Sequence, residues 1–324
     1  MVSIKELATA NKDVDVKEQR ALVAGGTQGI GAGIALRFAK AGAQVWIIGR
    51  NEVKAQETLD QLKKASEDYA VRQGKEGQSS SPEHEFFKAD LSQPKEMDRV
   101  AAEIAKRAGE AGVDHLIECQ GGPPTGSYKP LGDSSESAFS VQCLSRFRIA
   151  ERLLQSGTVK RSVLIVAVPG MGGKSLDVDD IDFRKAYDAG RWWGPPIGIA
   201  RMGMRDSAVL DCISQSFAQK YPTHNIVHLQ PGLIATDAVA NVGYPWPIPF
   251  LARTFAPLIA KRPGDYAELP FYLLANPAAK ERLQSGEPNC FGPTLSRYGV
   301  SGCAKDESTR ERLWTRLEGF FGST

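Results

Sequence analysis

RALVAGGTQGIG, residues 20–31, is the stretch that decides the fold class. Ala21 to Ala24 form an apolar run of a length suited to a short buried strand. Gly25, Gly26, Gly29 and Gly31 follow at once. Ile30, Ile34, Phe38 and Ala41 then recur at helical spacing, and Gly42 ends the helix. Glycines between a strand and a helix make a phosphate cradle. Gly25 permits a tight turn, Gly29 lets the backbone approach a pyrophosphate, and Gly31 lets the helix pack close to the strand. The helix start then offers unpaired N–H groups and the positive end of its dipole.

Outward from this stretch the chain keeps one rhythm. Strands are expected at 44–49 (QVWIIG), 85–90 (EFFKAD), 115–119 (HLIEC), 162–168 (SVLIVAV) and 225–232 (NIVHLQPG). Helices are expected at 51–70, 94–108, 134–155 and 202–220, with a solvated insertion at 71–84. Strand–helix alternation predicts an α/β, three-layer Rossmann fold: a doubly wound parallel sheet of about seven strands with helices on both faces and right-handed crossovers. Ligands of such sheets sit beyond the carboxyl ends of the strands.

The last third departs from the rhythm. Residues 244–258 are rich in proline and aromatic residues, and a helix near 265–276 and a short strand near 291–296 follow. In the tail, 308–321, Ser308 and Glu311 stand at capping-box spacing. Leu313, Trp314, Leu317, Phe320 and Phe321 form an apolar stripe there, suited to packing on the body or on a second subunit. We read 1–324 as a single dinucleotide-binding domain with its core at about 18–300. Segments 171–200 and 240–260 would form a substrate lid, with Trp192, Trp193, Tyr244, Trp246 and Phe250 as an aromatic lining for a bulky apolar substrate.

Composition excludes several classes. A net charge of +2 gives no case for a nucleic acid or an anionic membrane as partner. No apolar run is long enough to predict a transmembrane segment, and the charged N-terminus does not read as a signal peptide. Cys119, Cys143, Cys212, Cys290 and Cys303 are odd in number and scattered, which predicts reduced thiols in a cytoplasmic protein. His84, His115, His224 and His228 show no ligand spacing, so no metal is expected.

The residue after the second strand separates the two nicotinamide cofactors. An acid there bonds the ribose 2′-hydroxyl, whereas an arginine accommodates a 2′-phosphate. The chain has Gly49-Arg50-Asn51 and no acid, which favours NADP(H).

These residues resemble the short-chain dehydrogenase/reductase family. AGGTQGIG (24–31) is similar to that family's Thr-Gly-xxx-Gly-Ile-Gly, with Ala24 in place of threonine. Asp90-Leu91 resembles its adenine-binding pair, and Pro231 to Thr236 (PGLIAT) resembles the segment that lines the nicotinamide and its phosphates. The resemblance spans about 20–240, and the later KRPGDYAELPFYLL is similar to a divergent fungal branch concerned with small natural products. Taken with the loop, it assigns cofactor contacts to Gly25, Thr27, Gln28, Gly29, Ile30, Gly31, Arg50, Asn51, Asp90, Leu91, Gln120, Gly121, Pro231, Gly232, Ile234 and Thr236. It also implies a homo-oligomer, dimer or tetramer.

The chain departs from the family where the family does its chemistry. Asn-Asn-Ala-Gly becomes Glu118-Cys119-Gln120-Gly121, the helix asparagine aligns with Gln142, and the catalytic serine aligns with Gly170. The Tyr-xxx-Lys pair falls near Met202 and Asp206, and no Tyr-xxx-Lys occurs between 160 and 225. Hydride transfer to a carbonyl leaves charge on oxygen that a proton donor must meet. Tyr187, with Lys185 and Arg191 nearby, Asp206, Arg146 and Gln142 are the candidate catalytic residues. Glu118 and Cys119 lie beside the expected crevice. Three readings stay open: an NADP(H)-dependent oxidoreductase with relocated acid and base, a non-redox isomerase, epimerase or cyclase, and a silent NADP(H)-binding protein.

Overall fold

The computed structural model describes residues 2–74, 82–132, 135–235 and 260–322. Seven strands build the central sheet: β1 (Arg20–Ala24), β2 (Gln44–Gly49), β3 (Glu85–Lys88), β4 (Val113–Glu118), β5 (Val159–Val166), β6 (Asn225–Leu229) and β7 (Asn289–Phe291). Their order is β3-β2-β1-β4-β5-β6-β7, and every neighbouring pair is parallel. The chain runs outward from β1 to β3, then returns to place β4 on the other side of β1. The crevice between the carboxyl ends of β1 and β4 is therefore the switch point where such sheets bind ligands.

Alternation along the strands sends side chains to two cores. Leu22, Trp46, Leu116 and Val163 face α4 (Pro94–Ala108), α5 (Ser145–Gln155) and α6 (Ile197–Lys220). Val23, Ile47, Leu164 and Val227 face the opposite layer, α1 (Ile4–Ala10), α2 (Gly29–Lys40), α3 (Glu52–Arg72) and α7 (Glu268–Ala275). The sheet is buried on both sides, as a parallel sheet requires. The expected three-layer Rossmann architecture is present.

Several boundaries differ from expectation, each for a local reason. The helix expected at 134–155 begins later. A two-stranded antiparallel ribbon (Pro130–Leu131 with Ser135–Glu136) and a π-turn (Ser140–Leu144) precede α5. Glu136 takes the N–H groups of Ala138 and Phe139, so a carboxylate starts that helical turn. Helix α6 starts at Ile197, five residues ahead of the expected 202. The strand expected at 291–296 is β7, ending at Phe291, whose partner across an antiparallel bridge is Arg297.

In the tail, α8 (Glu307–Glu318) is followed by a short 3-10 turn, Gly319–Phe321. Its cap is Asp306, not Ser308: Asp306 Oδ2 accepts the Thr309 N–H at 2.9 Å. The apolar stripe packs on the chain's own body. Leu313 and Leu317 are buried, Trp314 meets Phe147 edge-on at 4.9 Å, and Phe320 lies 5.7 Å from Phe139.

Candidate active site

The phosphate cradle is built from backbone, and its dimensions depend on absent side chains. Gly25 sits at φ +75°, its N–H donates to Ile48 O at 2.9 Å, and a Cβ there would lie 2.7 Å from Gln120 N. A Cβ on Gly31 would lie 2.3 Å from Gly25 O. The loop therefore folds onto α2 only with glycine at both places. Gln28 caps α2 without a side-chain hydrogen bond, which leaves the first N–H groups of the helix to a ligand. These features fit a dinucleotide pyrophosphate.

The other cofactor candidates fall around this cradle. Arg50 is exposed at the carboxyl end of β2. Lys54, one turn into α3, donates to Gln28 Oε1 and so brings a second cation to the mouth of the loop. Asn51 Oδ1 accepts the Lys54 N–H at 3.0 Å and caps α3. Thr27 O accepts from Thr58 Oγ1 at 3.2 Å. Asp90 Oδ1 accepts from the N–H and hydroxyl of Ser92, and Leu91 is buried beside it. Ile234 is bridged to Lys261, and Gly232 sits at φ +73° against Pro293. Thr236, Tyr244, Trp246, Phe250 and residues 240–259 of the expected lid lie outside the described residues.

Side chains build the other wall of the crevice. Arg146, on α5, is almost wholly buried. Its Nη1 donates to Gln142 O (2.7 Å) and Gln142 Oε1 (2.5 Å), and its Nη2 donates to Gln120 O (2.7 Å) and Val166 O (3.2 Å). It is not a surface residue; it ties the ends of β4 and β5 to α5. Gln142, in the π-turn, donates to Gly122 O and approaches Gly121 so closely that a Cβ there would fall 2.5 Å from Gln142 Oε1. π-turns often mark functional sites.

Beneath this group lies Glu118, fully buried, with neither carboxylate oxygen hydrogen-bonded. Burial pushes its carboxyl well above the usual range, against the pull of Arg146. The same burial lowers Arg146 and pushes the Cys119 thiol up to about 12, so Cys119 is no ready nucleophile. Asp206 joins from α6: its Oδ1 accepts from Arg205 Nε at 2.7 Å and from Cys143 Sγ at 3.4 Å. Met202 is wholly buried.

Gln142, Arg146 and Asp206 thus gather on one wall. Tyr187 stands apart, on a short helix (Arg184–Asp188) in the 171–200 segment. It is exposed and stacks on Tyr128 at 4.2 Å. Trp192 anchors the same segment by donating Nε1–H to Gly126 O at 3.0 Å, while Trp193 is 63% exposed. Tyr128 escaped the sequence reading. Its hydroxyl is buried without a partner, and burial raises its pKa. Nothing in its sequence context, a loop of Gly, Pro and Ser, marks it. Among the described residues, Asp211, His228 and Cys290 form a close group of metal-ligand types. The Asp211 carboxylate there is already saturated by N–H and O–H donors.

Comparison with known proteins agrees with the cradle. Residues 19–176 match the family model of the short chain dehydrogenases. Residues 19–176 belong to the short-chain dehydrogenase/reductase family. Oxidoreductase AN1596 of Emericella nidulans is 23% identical over 302 residues, 92% of this chain and 78% of the relative. Oxidoreductase calI of Penicillium decumbens is 25% identical over 226 residues, 68% of this chain and 59% of the relative. A short-chain type dehydrogenase/reductase from Mycobacterium ulcerans has a similar fold, with TM-score 0.57, 19% identity and coverage of 93% and 98% of the two chains. The family binds a nicotinamide dinucleotide, which the glycine loop fits.

Proposed function

We propose that this short-chain dehydrogenase/reductase is an NADP(H)-dependent oxidoreductase acting on a bulky, largely apolar small molecule through a non-standard catalytic wall. The observation that carries the cofactor choice is Arg50, exposed at the end of β2 with Lys54 held beside the loop and no acid at the position that would bond a 2′-hydroxyl. Gly25, Gly31 and the start of α2 would hold the pyrophosphate, and Asp90 and Leu91 would border the adenine. Bound there, the nicotinamide would supply or take the hydride.

An apolar substrate is supported by what surrounds the carboxyl ends of β5 and β6. Met171, Trp193, Ile197, Met204 and Leu233 are 58%, 63%, 48%, 47% and 70% exposed. Ile197 and Met204 are two turns apart on one face of α6, and Met171 N–H donates to Ser207 Oγ on the next turn. A row of exposed apolar side chains marks a binding surface. For the proton we favour Asp206. Its side chain is 14% exposed, and Arg205 orients a carboxylate that can take a proton from a hydroxyl in one direction and return it in the other. Arg146 and Gln142 set the wall's position. Tyr187 is the competing donor.

One observation favours a second reading, a non-redox isomerase, epimerase or cyclase: Met202 is buried where the family alignment calls for a tyrosine. We also read the whole chain as one dinucleotide-binding unit. Its five free cysteines suit the cytoplasm, and the fungal oxidoreductase relatives suit natural-product biosynthesis. Deuterium-labelled NADPH tests the main reading. Label transferred into product supports it. Turnover that consumes no cofactor supports the second reading. Tight NADPH binding without turnover across a broad carbonyl panel leaves a silent binding protein.

A further inference from the structure

The geometry points to Asp211 as the positioning residue for the loop after β5. Its carboxylate holds Gly170 directly and Gly172 through Ser301, on either side of the exposed Met171 of the apolar row.

Asp211 lies on α6 and has no solvent exposure. Its Oδ2 accepts three hydrogen bonds: from Gly170 N (2.9 Å), Ser301 N (2.8 Å) and Ser301 Oγ (2.5 Å). Its Oδ1 accepts from His228 Nδ1 on β6 at 2.9 Å. Burial alone would raise this acid. The donors from His228, Ser301 and Gly170 outweigh it and hold the carboxyl below its usual range. A buried carboxylate with this many donors is a fixed point, because losing any partner would leave a charge unsatisfied in the interior.

The loop is tied at every residue. Gly170 N–H goes to Asp211, Met171 N–H to Ser207 Oγ (2.9 Å) and Gly172 N–H to Ser301 Oγ (2.7 Å). Gly172 is pressed onto α6, where a Cβ would lie 2.4 Å from Ala208 Cα. Three successive backbone donors are therefore consumed inside the protein. None of the three is left to bind a substrate oxygen. The loop's contribution is shape: it ties the exposed Met171 to Ser207, one turn of α6 after the exposed Met204. Ser301 comes from far along the chain, so the segment after β7 sets the geometry of a loop after β5.

The role assigned to Met171 rests on the proposed function; the fixing of the loop by Asp211 does not. Hydrogen–deuterium exchange on the full chain, with and without NADPH, tests the fixing. In Asp211→Ala the amides of 170–172 should exchange on the order of tenfold faster or more, while those of α2 and β1 keep their rates. NADPH affinity should stay within about twofold, and KM for an apolar substrate should rise about tenfold with a smaller change in kcat. Asp211→Asn keeps an oxygen for Gly170 and Ser301 and should recover most of the protection. Ser301→Ala should give an intermediate rate, and it keeps the question open to measurement if Asp211→Ala does not fold. Unchanged exchange at 170–172 in folded Asp211→Ala or Ser301→Ala overturns the inference. So does a uniform rise across the sheet with a parallel loss of NADPH binding, which marks a purely structural residue. If exchange rises as expected but no substrate is ever turned over, the proposed function fails and the fixing stands.

Discussion

The two walls of the crevice are made of different materials. On the β1–β2 side the cradle is backbone, shaped by Gly25 and Gly31 and completed by the start of α2. On the β4–β5 side the wall is buried polar side chains: Arg146 bonds Gln142 and strand-end carbonyls, Asp206 bonds Arg205 and Cys143, and Glu118 lies buried beside them. A backbone site has one solution and tolerates almost no change. A side-chain site can keep its shape while its chemistry is replaced residue by residue.

The largest effect should come from the backbone wall. Gly31→Ala places a methyl 2.3 Å from Gly25 O, which must displace the loop or the helix. NADPH binding, followed by cofactor fluorescence, should fall by about 100-fold or more, with a loss of about 1–3 kcal/mol in stability. A variant that binds normally would break the claim that this wall tolerates no change.

The next effect belongs to the side-chain wall. Asp206→Asn should lower kcat by about 100-fold with NADPH affinity intact. Tyr187→Phe should change turnover by less than about threefold, since that ring is exposed and stacked on Tyr128. The reverse pattern would move the acid/base role to the 171–200 segment.

Arg50→Ala should weaken NADPH by about tenfold or more and NADH much less, as expected for one charge-assisted contact to a 2′-phosphate. Equal weakening of both would refute NADP(H) selectivity.

A further effect, on stability alone, lies outside both walls. His115 is buried in β4 between Ser162 and Gln19, and burial lowers its pKa to about 4. The unfolded imidazole takes up a proton near pH 6.5, while the folded one stays neutral until about 4. Stability from this residue is therefore complete above about pH 6.5 and is lost as pH falls toward 4, by about 3 kcal/mol in all. The melting temperature should drop across that window, and His115→Asn should flatten the drop. An unchanged slope in the variant would remove His115 as its cause.

The contrast between the walls also explains what could be read in advance. RALVAGGTQGIG announces a strand, a loop and a helix because glycine has few other reasons to occupy those positions. The alternating strands gave the sheet, since their periodicity is local. Arg146 could be named as a candidate, but its partners could not, because only the meeting of the β4 and β5 ends with α5 shows that four carbonyl-type acceptors surround it. Asp211 in AVLDCIS left a faint signal, a lone acid in an apolar helical stretch, but its partners at 170, 228 and 301 are brought together only by the fold. The early start of α6 and the π-turn were hidden for the same reason: both are set by tertiary contacts, not by spacing.

The packing of α8 has a consequence for how the protein is made. Trp314 and Leu317 close a face whose other members, Phe147 and Phe217, leave the ribosome well before them. During synthesis that face stays greasy and uncovered until the last helix emerges. Nascent chains of this protein should therefore depend on holding chaperones, and messages cut short before Trp314 should yield aggregates rather than a smaller working enzyme.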